Sequence, residues 1–396
     1  MSFRDRQRGR SNNPQQAKPK GWAQKKRMMR GGIDISKFIN KAEPVENEVA
    51  YVPTHTFSDF GLNPLLAATI AQKNYVNPSP IQDKSIPFIM EGMDVVGIAN
   101  TGTGKTAAFL IPMVHKILAD DSQTLLVMTP TRELAIQIHK ELDQFTRGIN
   151  LFSAICVGGT SMYNQVQNLR KGVHVIIGTP GRLMDLCARG EIDLSQVKNV
   201  VLDEADKMLD MGFVDDITAM LAEMPEERQS LFFSATFPKK IENLVNNFMK
   251  APKIITVKTR DTSKNIDQDV IYTEDFPTKM DGLELILAKD ECKKTIIFAG
   301  MKYVVHDLAV ELEKRGYKAG SIHGDKRHVE RQRTLTAFKN NDINILVATD
   351  VAARGLDIPE VTHVVNYEIP QTYDTYVHRI GRTGRADKKG FAITFV

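Results

Sequence analysis

The feature that most constrains the fold is an apolar run, Val95–Ala99, that ends in a glycine-rich turn and a helix start, ANTGTGKT at Ala99–Thr106. A second apolar run about a hundred residues later ends in acids, VVLDEAD at Val200–Asp206. Strands that deliver loops and acids to one place belong to a parallel sheet, whose ligands sit at the carboxyl ends of the strands. Gly102 and Gly104 let the backbone turn sharply and aim N–H groups at phosphate oxygens, and the helix beginning near Lys105 adds the positive end of its dipole. In this pattern Thr101, Gly102, Thr103 and Gly104 form the phosphate cradle. Lys105 reaches the outer phosphates and Thr106 supports Mg²⁺. Asp203, emerging at a strand end, is the second Mg²⁺ contact, and Glu204 is placed to polarise an attacking water. The pair predicts hydrolysis of a nucleoside triphosphate.

The same alternation of strand and helix continues to the end of the chain. From Phe57 the expected strands are Val95–Ala99, Leu125–Thr129, Ala154–Val157, Val173–Ile177, Val200–Leu202, Leu231–Phe233 and Ile254–Val257. After the polar stretch KTRDTSKNID a second series follows at Val270–Tyr272, Thr295–Phe298, Gly320–Ile322, Ile343–Val347, His363–Val365 and Ala392–Phe395. Near-continuous apolar strands separated by amphipathic helices predict an α/β fold with two parallel-sheet domains in tandem. The expected boundaries are a basic tail over 1–50, a first domain over 51–258, a linker over 259–267 and a second domain over 268–396.

Charge is unevenly placed. Residues 1–32 hold ten Lys or Arg against the single acid Asp5, a net +9 in a chain of net +4, so the remainder is net −5. That segment is poor in apolar residues and is expected to be disordered, with affinity for a phosphate backbone. Cys156, Cys187 and Cys292 are far apart and form no metal-ligand spacing, as expected of reduced residues in a cytoplasmic protein. No apolar run approaches the roughly 20 residues of a membrane span.

Further motifs extend the pattern: NYVNPSPIQ at Asn74–Gln82, PTRELA at Pro130–Ala135, Gly158-Gly159, TPGR at Thr179–Arg182, SAT at Ser234–Thr236, HGD at His323–Asp325, ATDVAARGLDI at Ala348–Ile358 and HRIGRTGR at His378–Arg385. In this order they resemble the DEAD-box ATP-dependent RNA helicases of superfamily 2, of bacterial type, from Phe57 to Val396. The resemblance implies two RecA-like domains. It implies that Gln82 reads the adenine edge, with Phe57 and Tyr75 as aromatic neighbours, and that Asp357 contacts the ribose. Pro130, Thr131, Arg132, Gly158, Gly159, Thr179, Arg182, Gly324 and Thr349 are implied RNA-backbone contacts. Arg382 and Arg385 are implied arginine fingers. Asp206, Ser234, Thr236 and His378 are implied to couple nucleotide to RNA. Four positions depart from the family pattern: Asn74 for Gly, Ser79 for Thr, Asn100 for Gln, and His328 for the Gln three residues before Arg331.

The resemblance implies an ATP- and Mg²⁺-dependent RNA helicase or remodeller of RNA–protein complexes. It is expected to act as a monomer through sequence-tolerant backbone contacts, with no membrane partner. Two other readings stay open at this point. One is a nucleotide-gated RNA clamp with little turnover, and the other is a DNA helicase of the same superfamily.

Overall fold

The computed structural model describes residues 35–42, 51–100, 102–257, 265–273, 275–353, 358, 360–384 and 388–396. Thirteen strands form two wholly parallel sheets. In the first, β1 (Val95–Ile98), β2 (Leu125–Met128), β3 (Ser153–Cys156), β4 (Val175–Gly178), β5 (Asn199–Asp203), β6 (Gln229–Ser234) and β7 (Lys253–Thr256) lie in the order β3-β4-β2-β5-β6-β1-β7. In the second, β8 (Ile266–Ile271), β9 (Thr295–Phe298), β10 (Ala319–Ile322), β11 (Ile345–Ala348), β12 (His363–Asn366) and β13 (Gly390–Phe395) lie in the order β10-β11-β9-β12-β13-β8.

Helices cover both faces of each sheet, so the central strands feed two cores by alternation, whereas edge strand β7 buries only Ile255. Leu125 and Val127 join one core with Phe109 and Phe145. Leu126 and Met128 join the other with Met208 and Ile217. The second sheet divides likewise, Ile297 and Val347 on one side and Ile296 and Leu346 on the other. All thirteen expected strands are present, with ends that differ by a few residues. The largest difference is β8, which begins at Ile266, inside the stretch read as linker. Ile266 is fully buried against Tyr376 and Ala392, which outweighs its polar neighbours.

The expectation of a disordered tail reaching residue 50 is corrected for residues 35–42. Ile35–Phe38 forms a 3₁₀ turn, Ile35 and Phe38 are buried, and Asn40 bridges to Gln268 of β8. These apolar residues, three apart on a 3₁₀ turn, face one side and bury themselves on the second domain. Residues 1–34 and 43–50, and 258–264 of the expected linker, lie outside the described residues.

Strand order sorts the motif-bearing loops into two groups. Since every strand runs the same way, all loops after a strand end emerge at one edge. Those carrying the triphosphate motifs follow β1, β5 and β6, which are neighbours. Those carrying Pro130–Arg132, Gly158-Gly159 and Thr179–Arg182 follow β2, β3 and β4, which are also neighbours. One edge of one sheet therefore holds two adjoining sites.

Candidate functional site

The phosphate loop has the expected backbone. Gly102 and Gly104 have φ of 84° and 92°. Gly104 caps the helix Lys105–Ala119, whose free N–H groups and dipole face the loop. Gly104 also lacks room for a side chain, because a Cβ there would collide with the Gln82 amide. Gln82 donates to the Gly104 carbonyl (3.0 Å) and accepts from the Ser79 N–H (2.9 Å), which ties the Asn74–Gln82 segment to the glycine-rich loop. One amide N–H and one oxygen lone pair remain for a base edge. Phe57 and Tyr75 stack on each other, centroids 5.7 Å apart. Asn74, where the family pattern has Gly, sits at φ 56°, a left-handed conformation that Asn tolerates better than most residues. Lys105 is buried and donates to the Ala99 carbonyl at 2.8 Å. Thr106 is half-buried on the first turn beside it. Thr101 lies outside the described residues.

The acids after β5 are buried. Burial pushes the Asp203 carboxyl up to about 6, against the pull of Lys105. Glu204 has φ 54°, a strained αL conformation for a residue with a side chain, and caps the helix Ala205–Asp210. Its Oε1 pairs with Lys207 Nζ at 2.6 Å, and its buried Oε2 has no hydrogen-bond partner among the described residues. Burial raises the Glu204 carboxyl, but Lys207 foremost, with Lys105 and Arg382, more than reverses this and holds it below its usual range. A buried ionised carboxylate with one open oxygen is suited to accept a proton or orient a water. Thr106 and Asp203 offer only oxygen donors, and a cation would relieve the burial cost of the Asp203 carboxylate, so they fit Mg²⁺.

Asp206 does different work. Its Oδ2 accepts from the N–H of Ala235 (3.2 Å) and from the N–H and Oγ1 of Thr236 (each 3.0 Å), and its own N–H donates to Ser234 Oγ (3.3 Å). Burial raises its carboxyl, yet Lys207, Lys105, Thr236 and His378 together hold it low. The loops after β5 and β6 are thereby joined, and His378 of the second domain acts on the same acid.

In the second domain the helix Tyr373–Ile380 leads to Arg382. Arg379 on that helix is nearly fully buried. It makes a bidentate pair with Asp350 (2.6 and 2.8 Å), bonds to Asn366 and the Glu368 carbonyl, and lies over the Phe298 ring. Arg385 and Asp357 lie outside the described residues.

On the other half of the edge, Thr131 caps the helix Arg132–Phe145 with its Oγ1 (3.3 Å). The Gly158-Gly159 turn has no side chains, and the Arg132 guanidinium occupies the space that a Cβ at Gly159 would need. Burial lowers the Arg132 guanidinium, and although Glu133 opposes the shift, Arg331 and Arg182 add to it. Three arginines are thus gathered from both domains, with an Arg182 Nη1 and the Arg331 Nε buried without a partner among the described residues. Such a cluster favours an anion. Pro130 and Thr179 are buried at the ends of β2 and β4, Thr349 at the end of β11, while Gly324 is exposed.

Sequence reasoning missed four functional contacts. Lys207 was passed over as the residue after the acids. Arg379 and Asp350 lie within recognised motifs but were assigned no role. Glu133 pairs with Arg331 across the domains at 2.8 Å. Asp83, next to Gln82, gathers Tyr51 (2.5 Å), the Thr54 N–H (2.8 Å) and His55 (2.7 Å). The only signal for Lys207 and Asp83 was a charged residue inside an apolar helical pattern.

A family model described as DEAD/DEAH box helicase matches residues 79–244, and one described as helicase conserved C-terminal domain matches residues 278–387. The chain is 46% identical over 343 residues to the DEAD-box ATP-dependent RNA helicase CshA of Geobacillus kaustophilus, covering 86% of this chain and 73% of that protein. It is 44% identical over 341 residues to the ATP-dependent RNA helicase CshA of Listeria monocytogenes, covering 86% of this chain and 66% of that protein. The chain thus spans about two thirds of the length of that relative. The structure matches S. cerevisiae Dbp5 bound to RNA and ADP BeF3 with a TM-score of 0.75 at 32% identity, over 86% of this chain and 89% of that one. The two helicase family models, which together match most of the chain, and the 46% identity to a DEAD-box relative covered over 73% of its length place this chain in the family of DEAD-box ATP-dependent RNA helicases.

Proposed function

We propose that ATP binding closes the two domains of this chain, 51–258 and 268–396, on RNA, that closure opens short duplexes or remodels RNA–protein complexes, and that hydrolysis of the ATP releases the RNA. The observation that carries the reading is that the two domains meet at these sites, with Arg331 of the second paired to Glu133 of the first at 2.8 Å and the charges of Arg382 and His378 felt by Glu204 and Asp206. The ATP site needs both domains, and so does the RNA site, where Arg331 joins Arg132 and Arg182. Because both sites lie on the same sheet edge, one rigid-body movement completes or dissolves them together. The high TM-score to a chain bound to RNA and ADP BeF3 supports this closed arrangement.

ATP is captured by the first domain, with Gln82 at the adenine edge, Gly102–Gly104 around the phosphates and Lys105 on the outer phosphates. Phe57 and Tyr75 are the aromatic neighbours of the base, and Asp357 meets the ribose. Thr106 and Asp203 would hold Mg²⁺, which offsets phosphate charge. Glu204 orients the attacking water and accepts its proton. Lys207 keeps that carboxylate ionised and fixes its rotamer. Arg382, with Arg385, neutralises charge that develops at the γ-phosphate, a contribution of about 10³–10⁵ for arginine fingers. Asp206 with Ser234 and Thr236 carries the state of the acids to the RNA half. RNA is held through backbone contacts by Arg132, Arg182, Thr131, Thr179, Thr349 and the N–H groups near Gly158, Gly159 and Gly324, so base sequence matters little.

The test is ATP hydrolysis with RNA, with matched DNA and with neither, for the unaltered chain and for Arg382→Ala. Strong stimulation by RNA alone, lost in the variant with ATP affinity little changed, is expected. Equal stimulation by DNA refutes the RNA assignment. An equal fall in ATP affinity makes Arg382 a ground-state ligand.

A further inference from the structure

The buried N-terminal turn sits on the second domain, behind the arginine motif. Phe38 is fully buried, its ring centroid 4.5 Å from that of Tyr376, and with Ile35 it fills a cluster made by Ile266, Tyr376, Ile380 and Ala392. Just beyond it, Asn40 and Gln268 exchange both backbone hydrogen bonds (3.0 and 2.7 Å), adding an antiparallel bridge to β8, the edge strand of the sheet. The Ala42 N–H donates to Asp267 Oδ1 at 2.7 Å, and Tyr376 donates its hydroxyl to Gln268 at 2.9 Å. A segment more than two hundred residues away in sequence thus completes a core and covers a free sheet edge.

What it completes is the support of one helix. Tyr376 and Ile380, four residues apart, lie on the same face of the helix Tyr373–Ile380, and that face is turned to the segment. Another face carries Thr375, His378 and Arg379, which line a small cavity with Arg382, Phe298 and Asp350. Arg382 follows the helix by two residues. The helix is therefore held from two sides, by the Arg379–Asp350 pair on one and by Phe38 on the other. Without Phe38, Tyr376 would face a void, and buried aromatic side chains replaced by Ala leave cavities that neighbours only partly refill.

We propose that residues 35–42 are a positioning element for Arg382, anchored by Phe38. The residues that Ile35 and Phe38 pack against, Ile266, Tyr376, Ile380 and Ala392, all belong to the second domain. The segment acts through the helix, setting where the arginine stands when the domains meet. The proposal rests on the assignment of Arg382 to the chemistry.

The experiment measures RNA-stimulated ATP hydrolysis of the full chain for Phe38→Ala, Phe38→Leu, Asn40→Pro, Arg382→Ala and the double variant Phe38→Ala with Arg382→Ala, each checked for folding by thermal unfolding. A displacement of about 1 Å at a catalytic group costs up to about 10²-fold. Phe38→Ala is expected to lose up to that much in kcat with little change in KM for ATP. Phe38→Leu should retain most activity, and the double variant should be no slower than Arg382→Ala alone. If Phe38→Ala does not fold, Asn40→Pro tests the same docking. Asn40 is exposed, and its replacement removes one bridging N–H without opening a cavity. It should show a smaller loss confined to kcat. Unchanged kcat in the folded Phe38 and Asn40 variants, with turnover abolished by Arg382→Ala, overturns the proposal, as does a double variant whose loss is the product of the single losses. An Arg382→Ala variant of normal turnover instead defeats the catalytic assignment on which the proposal stands.

Discussion

Arg331 of the second domain and Glu133 of the first form an ion pair 2.8 Å long, with side chains only 13% and 7% exposed. The pair spans the two domains, so its energy belongs to their contact and not to the stability of either domain. Breaking a buried pair by removing one partner costs about 3–5 kcal/mol, because the other charge stays buried.

Glu133→Gln should therefore loosen closure. Affinity for RNA in the presence of a non-hydrolysable ATP analogue should fall by about a hundredfold or more, since each 1.4 kcal/mol is tenfold. Melting of the separate domains should barely move. Fluorescence anisotropy of labelled RNA against thermal unfolding separates the two effects. An unaltered RNA affinity would show that the pair does not stabilise the gripping state.

Glu204→Gln should slow hydrolysis by about 10²–10⁴, the usual worth of a positioned general base. ATP binding through Lys105 should persist, so the variant should hold RNA for longer in the presence of ATP. Stopped-flow release of labelled RNA checks this, and fast release with slow hydrolysis would contradict it.

Removing residues 1–34 leaves the docked turn in place, so intrinsic turnover should be preserved. RNA affinity should fall and its dependence on salt should flatten, by about 0.7 in the log–log slope for each single-strand phosphate that the tail neutralises. Equal slopes with and without the tail would mean that the tail does not engage RNA.

The second domain should show an acid-side loss of stability from His363. The ring is buried in β12, stacked on Phe391 at 4.7 Å, and burial pushes its pKa down to about 4. The unfolded chain binds this proton near pH 6.5 and the folded chain does not, so stability is full above that pH and declines as pH falls towards 4. His363→Gln should flatten that decline, by about 1–2 kcal/mol at pH 5. Denaturant melts from pH 7 to pH 5 test it, and parallel curves for both proteins would exclude His363 as the cause.

Much of this protein was legible before any tertiary information. The thirteen strands could be read because strands covered on both faces are apolar along their whole length, and because Gly, Thr or Asp marks their ends. The phosphate loop and the acids were readable because Gly102, Gly104, Lys105, Asp203 and Glu204 stand in fixed positions after a strand, where local chemistry alone dictates residue type. The position of β8 was misjudged because Asp267 and Asp269 on an edge strand look like linker residues. The order of the strands could not be read, since it depends on which helices cross over which face.

By itself the sequence determined the two-domain α/β architecture, the phosphate chemistry and the uneven charge. Only the tertiary structure decided which residues meet across distance. Lys207 clamping Glu204, Arg331 crossing to Glu133, and Phe38 bracing the helix before Arg382 all depend on how the folded chain packs around them. Periodicity and motif spacing report what a residue's immediate neighbours require. Burial, and the cost of leaving a buried charge or cavity uncompensated, are set by the whole fold.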